Sequence, residues 1–274
     1  MTRAEPEIAM LHGRALAIVR EAGAIALDYF GDHANRVWDK GGGQGPVSEA
    51  DLAVDDFLRR RLGALTPGYG WLSEETKDDL ARLESPRLWI VDPIDGTRAF
   101  IRGRPHFSVA VALVEAGRPV LGIVHAPALD ETYEATVGGG ARLNGAPIRV
   151  TPRGDIAGCR MLVHRQLLLS RRWTIPWPEI ETDMVNSIAY RIVLVAAGRF
   201  DACLTLNPKC DWDIAAAELI LAEAGGRMTT HEGAGYVYNR PSPRHRDIVA
   251  AGPALHARLL DKIKDYAFPT PRKA

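Results

Sequence analysis

The sequence predicts a fold of mixed helices and sheets in layers, of the α+β or α/β class. Three observations carry this. Up to Leu65, apolar side chains recur at helical steps; from Leu88 to Val150, short β-branched runs are separated by turn signals; beyond Thr151, strand and helix patterns alternate. That order implies two mixed layered halves sharing one body, residues 1–152 and 153–274, with a functional site expected between them.

The elements follow in chain order. Ile8, Leu11, Ala15, Ile18, Ala22, Ile25 and Tyr29 form one apolar stripe, and Gly31 stands where that helix should stop. The stretch Lys40-Gly41-Gly42-Gly43-Gln44-Gly45-Pro46 reads as a loop; no Gly-Lys-Ser/Thr ends it, so it is not a nucleotide-binding P-loop. Ser48 is an N-cap candidate with Asp51 three residues on, opening a helix whose stripe is Val54, Phe57, Leu58, Leu62 and Leu65. Leu88–Val91, Ser108–Val114 and Val120–His125 read as strands, the last two joined at Ala116-Gly117-Arg118-Pro119. Asn144-Gly145, between Ala141–Leu143 and Pro147–Val150, is the strongest hairpin signal in the chain. In the second half, Cys159–Val163, Asp201–Leu206 and Asp247–Ala251 read as strands. Ile188–Ala197, Asp213–Ala224 and Pro253–Lys264 read as helices, the middle one stopped by Gly225-Gly226. The tail from Phe268 reads as frayed.

Composition narrows the functional classes. Among 274 residues, 34 Lys and Arg balance 34 Asp and Glu, and 46% are hydrophobic, enough for a sizeable core and incompatible with dominant disorder. The zero net charge argues against a nucleic acid polymer as main partner, because phosphate backbones demand excess cations. No apolar run reaches the ~18 residues of a membrane span, and the first residues lack a signal-peptide core, so a cytoplasmic location is expected. Cys159, Cys203 and Cys210 are odd in number and carry no C-x-x-C pair; they read as buried small hydrophobes.

The most informative residues are Asp92-Pro93-Ile94-Asp95-Gly96-Thr97, which follow the apolar run Trp89-Ile90-Val91. Two carboxylates at the end of a buried strand are costly unless a positive group lies between them. Gly96 lets backbone amides turn toward a ligand, and Thr97 adds a hydroxyl. A hard divalent cation held by oxygens, with a phosphate resting on amides, suits these residue types; a plain strand-ending turn is the simpler alternative. Ser73-Glu74-Glu75 ends another short apolar segment, Asp51 lies in a first helical turn, and Asp211-Trp212-Asp213 opens a helix. Singly, each reads as a solvated face, a dipole partner or a cap. Together they read as acids at strand ends and helix starts gathered around metals.

These segments resemble the inositol monophosphatase family of Mg²⁺-dependent, Li⁺-sensitive phosphatases. The resemblance rests on Ser73-Glu74-Glu75, on Trp89 through Thr97, and on Trp212-Asp213-Ile214-Ala215-Ala216-Ala217 with its Glu223-Ala224-Gly225-Gly226 ending. Val47-Ser48-Glu49-Ala50-Asp51 and Gly138-Gly139-Gly140-Ala141 support it, and nearly the whole chain is covered in order. It implies an αβαβα layered sandwich, a homodimer, and a small phosphorylated metabolite as substrate. It further implies that Glu74, Asp92 and the Ile94 carbonyl hold one Mg²⁺ and that Asp92, Asp95 and Asp213 hold a second. A third, weaker ion would lean on Glu74 through waters. Asp51, Glu74 and Thr97 would orient and deprotonate the attacking water, and the amides of Gly96 and Thr97 would receive the phosphate, with Asp95 and Asp213 also facing the substrate.

Substrate signals point away from the inositol-specific pattern. Arg98 follows Thr97 where inositol enzymes usually carry Thr, Thr205 stands eight residues before Asp213 where they usually carry Glu, and Asn186 replaces a usual Gly. These departures resemble the bisphosphate nucleotidase and histidinol phosphatase branches. Adenosine 3′,5′-bisphosphate or broad specificity leads; inositol 1-phosphate, histidinol phosphate and an inactive regulatory homologue are the alternatives. Lys209 is a candidate for a second anionic group of the substrate. The run Arg171-Arg172-Trp173-Thr174-Ile175-Pro176-Trp177-Pro178 reads as an exposed loop or dimer contact, or else as a stacking surface for a nucleobase.

Overall fold

The computed structural model describes residues 4–31, 36–39 and 46–268. The Gly-rich stretch from Lys40 to Gly45 and the tail beyond Phe268 lie outside the described residues. Helix α1 (Ala4–Tyr29) is followed by a strand pair, β1 (Val37–Asp39) and β2 (Pro46–Ser48), then α2 (Glu49–Leu65), β3 (Gly70–Ser73), β4 (Arg87–Asp95) and the short α3 (Thr97–Ile101). The antiparallel run is β5 (Ser108–Glu115), β6 (Arg118–Ala126), β7 (Glu131–Thr136), β8 (Gly140–Leu143) and β9 (Ala146–Pro147). Then come β10 (Arg160–Val163), α4 (Arg165–Leu168), β11 (Glu181–Asp183), α5 (Ile188–Ala196), β12 (Ala202–Thr205), β13 (Lys209–Cys210), α6 (Asp211–Glu223), β14 (Arg227–Thr229), β15 (Arg244–His245), β16 (Ile248–Ala251) and α7 (Pro253–Ile263).

Strand alternation sorts the apolar residues into three cores, and these define the layers. Trp89, Val91, Val109, Val111, Leu113 and Ile123 face α1 and α2. Their neighbours Leu88, Ile90, Ala110, Ala112 and Val124 face the opposite way, against α5 and α6. Those helices also cover Leu162, Cys203, Ile248 and Ala250 of a second sheet, whose other face, with Met161, Leu204 and Val249, packs on α7. The period-two pattern of each strand thus yields α–β–α–β–α layering, because a strand buried on both sides must present apolar residues both ways. The first sheet has the order β3-β4-β5-β6-β7-β8-β9 and is antiparallel except for the parallel β3–β4 pair. The second, β11-β10-β12-β16-β14, is mixed.

Two local predictions come out differently. The strand at Leu88 continues through Asp95, so the acidic pair sits inside β4 rather than after it, with pairing interrupted between Asp92 and Asp95. Pro93 has no N–H to donate, which accounts for the irregularity there. The Asn144-Gly145 turn forms with both residues at positive φ (48° and 81°), but its second strand is only Ala146–Pro147. Strand β7 carries no strong local signal; it forms by pairing with β6 and β8.

The layers approach closely at Gly122 of β6, where a Cβ would lie 2.5 Å from the Ala216 carbonyl oxygen of α6. Backbone cannot yield as a side chain does, so Gly122→Ala should cost on the order of 1–3 kcal/mol by overpacking. Urea denaturation reads this, and an unchanged midpoint would show that α6 moves away freely.

Candidate active site

The predicted acids converge by three local devices. In α2, Asp51 is the third helical residue; its Oδ2 accepts the Ser48 backbone N–H (2.8 Å) and hydroxyl (2.6 Å), while Oδ1 accepts the Thr97 hydroxyl (3.1 Å). Asp213 occupies the same position in α6, with Oδ2 accepting the Cys210 N–H at 2.6 Å. In each case one oxygen caps a helix, leaving the other free of that bond; in Asp51 it is the one that accepts the Thr97 hydroxyl. The parallel register pairs Ser73 with Val91, which sets Glu74, just past the end of β3, beside Asp92 within β4; the Glu74 N–H donates to Val91 O (3.3 Å).

Asp95 is held from across the molecule. Its Oδ2 accepts the Ser187 hydroxyl and the Ala189 N–H, both at 2.6 Å, at the N-terminus of α5. Gly96 at φ 98° completes the turn, and a Cβ there would lie 3.1 Å from Ser187 N and 3.2 Å from His106 O. Thr97 opens α3, where N–H groups lack intrahelical acceptors. The Thr97 hydroxyl also lies 3.1 Å from the Ile94 carbonyl, leaving that oxygen a second lone pair.

Asp92, Asp95 and Asp213 each offer a carboxylate oxygen, all within 4.8 Å of one another. Burial raises the affinity of all three for protons: Asp95 is pushed up to about 6 and Asp213 to about 7, the latter also by Asp95. Asp92 is raised well above the ordinary carboxylate range by burial, then by the charges of Glu74, Asp95 and Asp213. Burial also raises Asp51. Asp92 Oδ2 is buried with no hydrogen-bond partner among the described residues. An orphaned carboxylate oxygen facing two other acids costs free energy that a hard cation would offset, and the all-oxygen donor set fits Mg²⁺. Glu74 stands outside the tight trio yet is the largest charge acting on Asp92.

Beside this cluster lies a cavity of about 560 Å³ whose lining includes Asp95, Asp213, Lys209, Thr205, Arg98 and Arg172. Lys209 Nζ donates to Pro208 O (3.2 Å), and its charge holds the Asp213 affinity for protons down. The run Arg171–Pro178 is not a free stacking surface. Trp173 is buried against Tyr266 with ring centroids 4.6 Å apart, and Trp177 meets it edge-on at 5.0 Å. Cys159 and Cys203 are buried and Cys210 partly so; burial lifts the three thiols to about 11, 11 and 12.

Two residues that hold the site escape a reading of the sequence. Asp55 accepts the Ser73 hydroxyl (2.5 Å) and the Thr76 hydroxyl (2.7 Å), pinning the turn that carries Glu74. It lies one helical turn after Asp51, and that i,i+4 spacing was its only available signal. His245 bonds Asp211 at 2.7 Å and so fixes the first turn of α6 from β15; nothing local announces it.

Layered α–β–α–β–α architecture and a close trio of acids, two of them buried, beside a cationic cavity define a class, the metal-dependent phosphomonoesterases. The model of the inositol monophosphatase family matches residues 11–267, and the chain belongs to that family, whose members are Mg²⁺-dependent phosphoric monoester hydrolases. It is 34% identical to a histidinol-phosphatase of Chlorobaculum parvum over 226 residues (80% of this chain, 85% of the relative). It is 33% identical to an inositol-1-monophosphatase of Mesorhizobium japonicum over 267 residues (93% and 96%). A 3′(2′),5′-bisphosphate nucleotidase CysQ of Aggregatibacter actinomycetemcomitans is 36% identical over 200 residues (66% and 70%). Among solved structures, the Thermotoga maritima IMPase TM1415 superposes with a TM-score of 0.78 at 29% identity, covering 91% of this chain and 95% of that one. Among the described residues no helix is long and apolar enough to cross a membrane.

Proposed function

We propose that the chain hydrolyses a small phosphate monoester with two Mg²⁺, and that adenosine 3′,5′-bisphosphate leads its substrates. The observation that carries the metal assignment is the trio Asp92, Asp95 and Asp213 with its orphaned Asp92 oxygen. Glu74, Asp92 and the Ile94 carbonyl would hold one ion, Asp92, Asp95 and Asp213 the other, and Glu74 a third through waters. Bound there, Mg²⁺ would supply positive charge to the phosphoryl oxygens and lower the pKa of water. Thr97, bonded to Asp51, presents its hydroxyl at the turn and, with Asp51 and Glu74, orients the nucleophile and takes its proton. The Gly96 and Thr97 amides receive the phosphate, and Lys209 adds charge beside Asp213. The first half of the chain (1–152) contributes all of these groups except Asp213 and Lys209, which come from the second (153–274). A homodimer in the cytoplasm is the setting the family resemblance implies.

The cavity supports a substrate with more than one anionic group: four cations line it (Arg98, Arg172, Arg191, Lys209) against two carboxylates (Asp95, Asp213). Inositol 1-phosphate is the second reading, favoured by the 33% identity to an inositol-1-monophosphatase across 93% of the chain. Against it, Thr205 sits in the cavity wall without a carboxylate to offer sugar hydroxyls. Phosphate release from adenosine 3′,5′-bisphosphate, inositol 1-phosphate, histidinol phosphate and fructose 1,6-bisphosphate, with and without Mg²⁺ and Li⁺, tests these readings. The expected result is Mg²⁺-dependent, Li⁺-inhibited release with the highest kcat/KM on the adenosine bisphosphate. Equal, slow turnover of all four makes the enzyme broad in specificity, and no turnover of any makes the chain a regulatory homologue.

A further inference from the structure

Two guanidinium groups in the cavity have no partner among the described residues. Arg98 and Arg172 are exposed, share a cavity with Asp95 and Asp213, and donate no side-chain hydrogen bond or ion pair to any described residue. Arg191, by contrast, is committed to the carbonyls of Val185 and Asn186. Arg98 directly follows the Gly96-Thr97 turn, and the Lys209 charge already acts on Asp213, so both lie at the end of the cavity where bond cleavage would occur. Arg172 belongs to a different part of the wall.

That part is a strap stapled to the C-terminal segment. The Ala267 N–H donates to Arg172 O (2.8 Å) and the Thr174 N–H to Asp265 O (2.9 Å), so the backbone on both sides of Trp173 is tied down. The Trp173 indole donates to Leu167 O at 2.6 Å while its ring packs on Tyr266. Lys262 of α7 reaches under the strap, donating to Ile175 O (2.6 Å) and Pro176 O (3.3 Å), with its ammonium 5.7 Å from the ring centres of both Trp173 and Trp177. An arginine on an anchored backbone loses less freedom on binding than one on a free loop, and its planar fork matches a phosphate in two contacts.

We propose that Arg172 is a specificity-determining residue that binds the second phosphate of a bisphosphorylated substrate, with Lys262 as the positioning residue of its strap. This rests on the bisphosphate reading above. The matched pair adenosine 3′,5′-bisphosphate and adenosine 3′-monophosphate isolates the second phosphate, because the two differ in nothing else.

The test measures kcat/KM for both substrates in wild type, Arg172→Ala, Arg172→Lys and Lys262→Met, at low and at moderate ionic strength. Wild type should prefer the bisphosphate. In Arg172→Ala the preference should fall about tenfold, the equivalent of about 1.4 kcal/mol, mostly through the KM of the bisphosphate. Arg172→Lys should restore part of it, and Lys262→Met should reduce it with the melting temperature as a check on folding. The salt dependence of the bisphosphate KM should weaken in Arg172→Ala, which a purely structural role would not produce. A wild type with no preference for the bisphosphate overturns the substrate reading itself. A preference that survives Arg172→Ala intact overturns the assignment of Arg172 alone, as does equal loss on both substrates.

Discussion

Replacing Asp95 by Asn should lower turnover at least 100-fold while raising the melting temperature of the Mg²⁺-free protein. The two effects have one cause. Asp95 Oδ2 accepts from Ser187 and Ala189, and an Asn carbonyl oxygen can accept the same two bonds, so the tie between the Asp95–Gly96 turn and α5 survives. What is lost is a negative oxygen facing Asp92 and Asp213. Without Mg²⁺ that charge is a burden, since Asp95 raises the proton affinity of both neighbours. With Mg²⁺ it is a proposed ligand, and an amide is a far weaker one. Steady-state phosphate release and a thermal melt in chelator check the two halves. A variant keeping more than a tenth of the wild-type rate, or one melting below wild type in chelator, refutes the role.

The Mg²⁺-free protein should also lose stability as pH rises from 5 to 8, and Mg²⁺ should restore more at pH 8 than at pH 5. An unfolded Asp titrates near 4. Folded Asp95 and Asp213 titrate at about 6 and about 7, both chiefly because of burial. The folded chain therefore binds extra protons between these values, so the stabilisation is complete below pH 4 and is lost as pH climbs through the folded values. Asp78 and Glu131, whose affinities for protons are held low, act in the opposite sense only in more acid solution, outside this window. His125 and His256, whose proton affinities burial lowers, oppose the loss within it, so the net fall is that of the acids less theirs. A fall in melting temperature on the order of 5 °C or more is expected across the window. A flat profile in chelator, or an equal Mg²⁺ effect at both pH values, would show that burial does not raise the proton affinities of Asp95 and Asp213.

How much of this was legible in the chain differs from element to element. α1, α2 and α5–α7 were readable because each buries a stripe whose spacing repeats within one or two turns, and the hairpin at Asn144-Gly145 because both residues tolerate positive φ. The acids were readable as a group, since strand ends and helix starts are local signals. What they do individually was not. Asp51 read as a helix-dipole partner or a catalytic acid, and Asp213 as a cap or a metal ligand; in the structure one oxygen of each caps its helix, and the other oxygen of Asp51 accepts the Thr97 hydroxyl. Asp95 looked like one of a pair beyond a strand, but it lies within β4 and is fixed by Ser187, 92 residues away. Arg171–Pro178 read as an exposed loop or dimer contact, or else as a stacking surface; in the structure Trp173 packs against Tyr266 and Trp177 edge-on against Trp173.

By itself the sequence determined the layers, the set of acids and the family, because helical and strand periodicity, capping patterns and short motifs act over a few residues. Only the tertiary structure decided which carboxylate oxygen faces which neighbour and that, among the described residues, Asp92 has an oxygen without a donor and Arg172 stands unpaired on an anchored strap. Those facts depend on contacts between segments far apart in the chain, such as Lys262 with Ile175 across 87 residues. Burial and mutual charge then set the proton affinities, and neither exists until the segments meet.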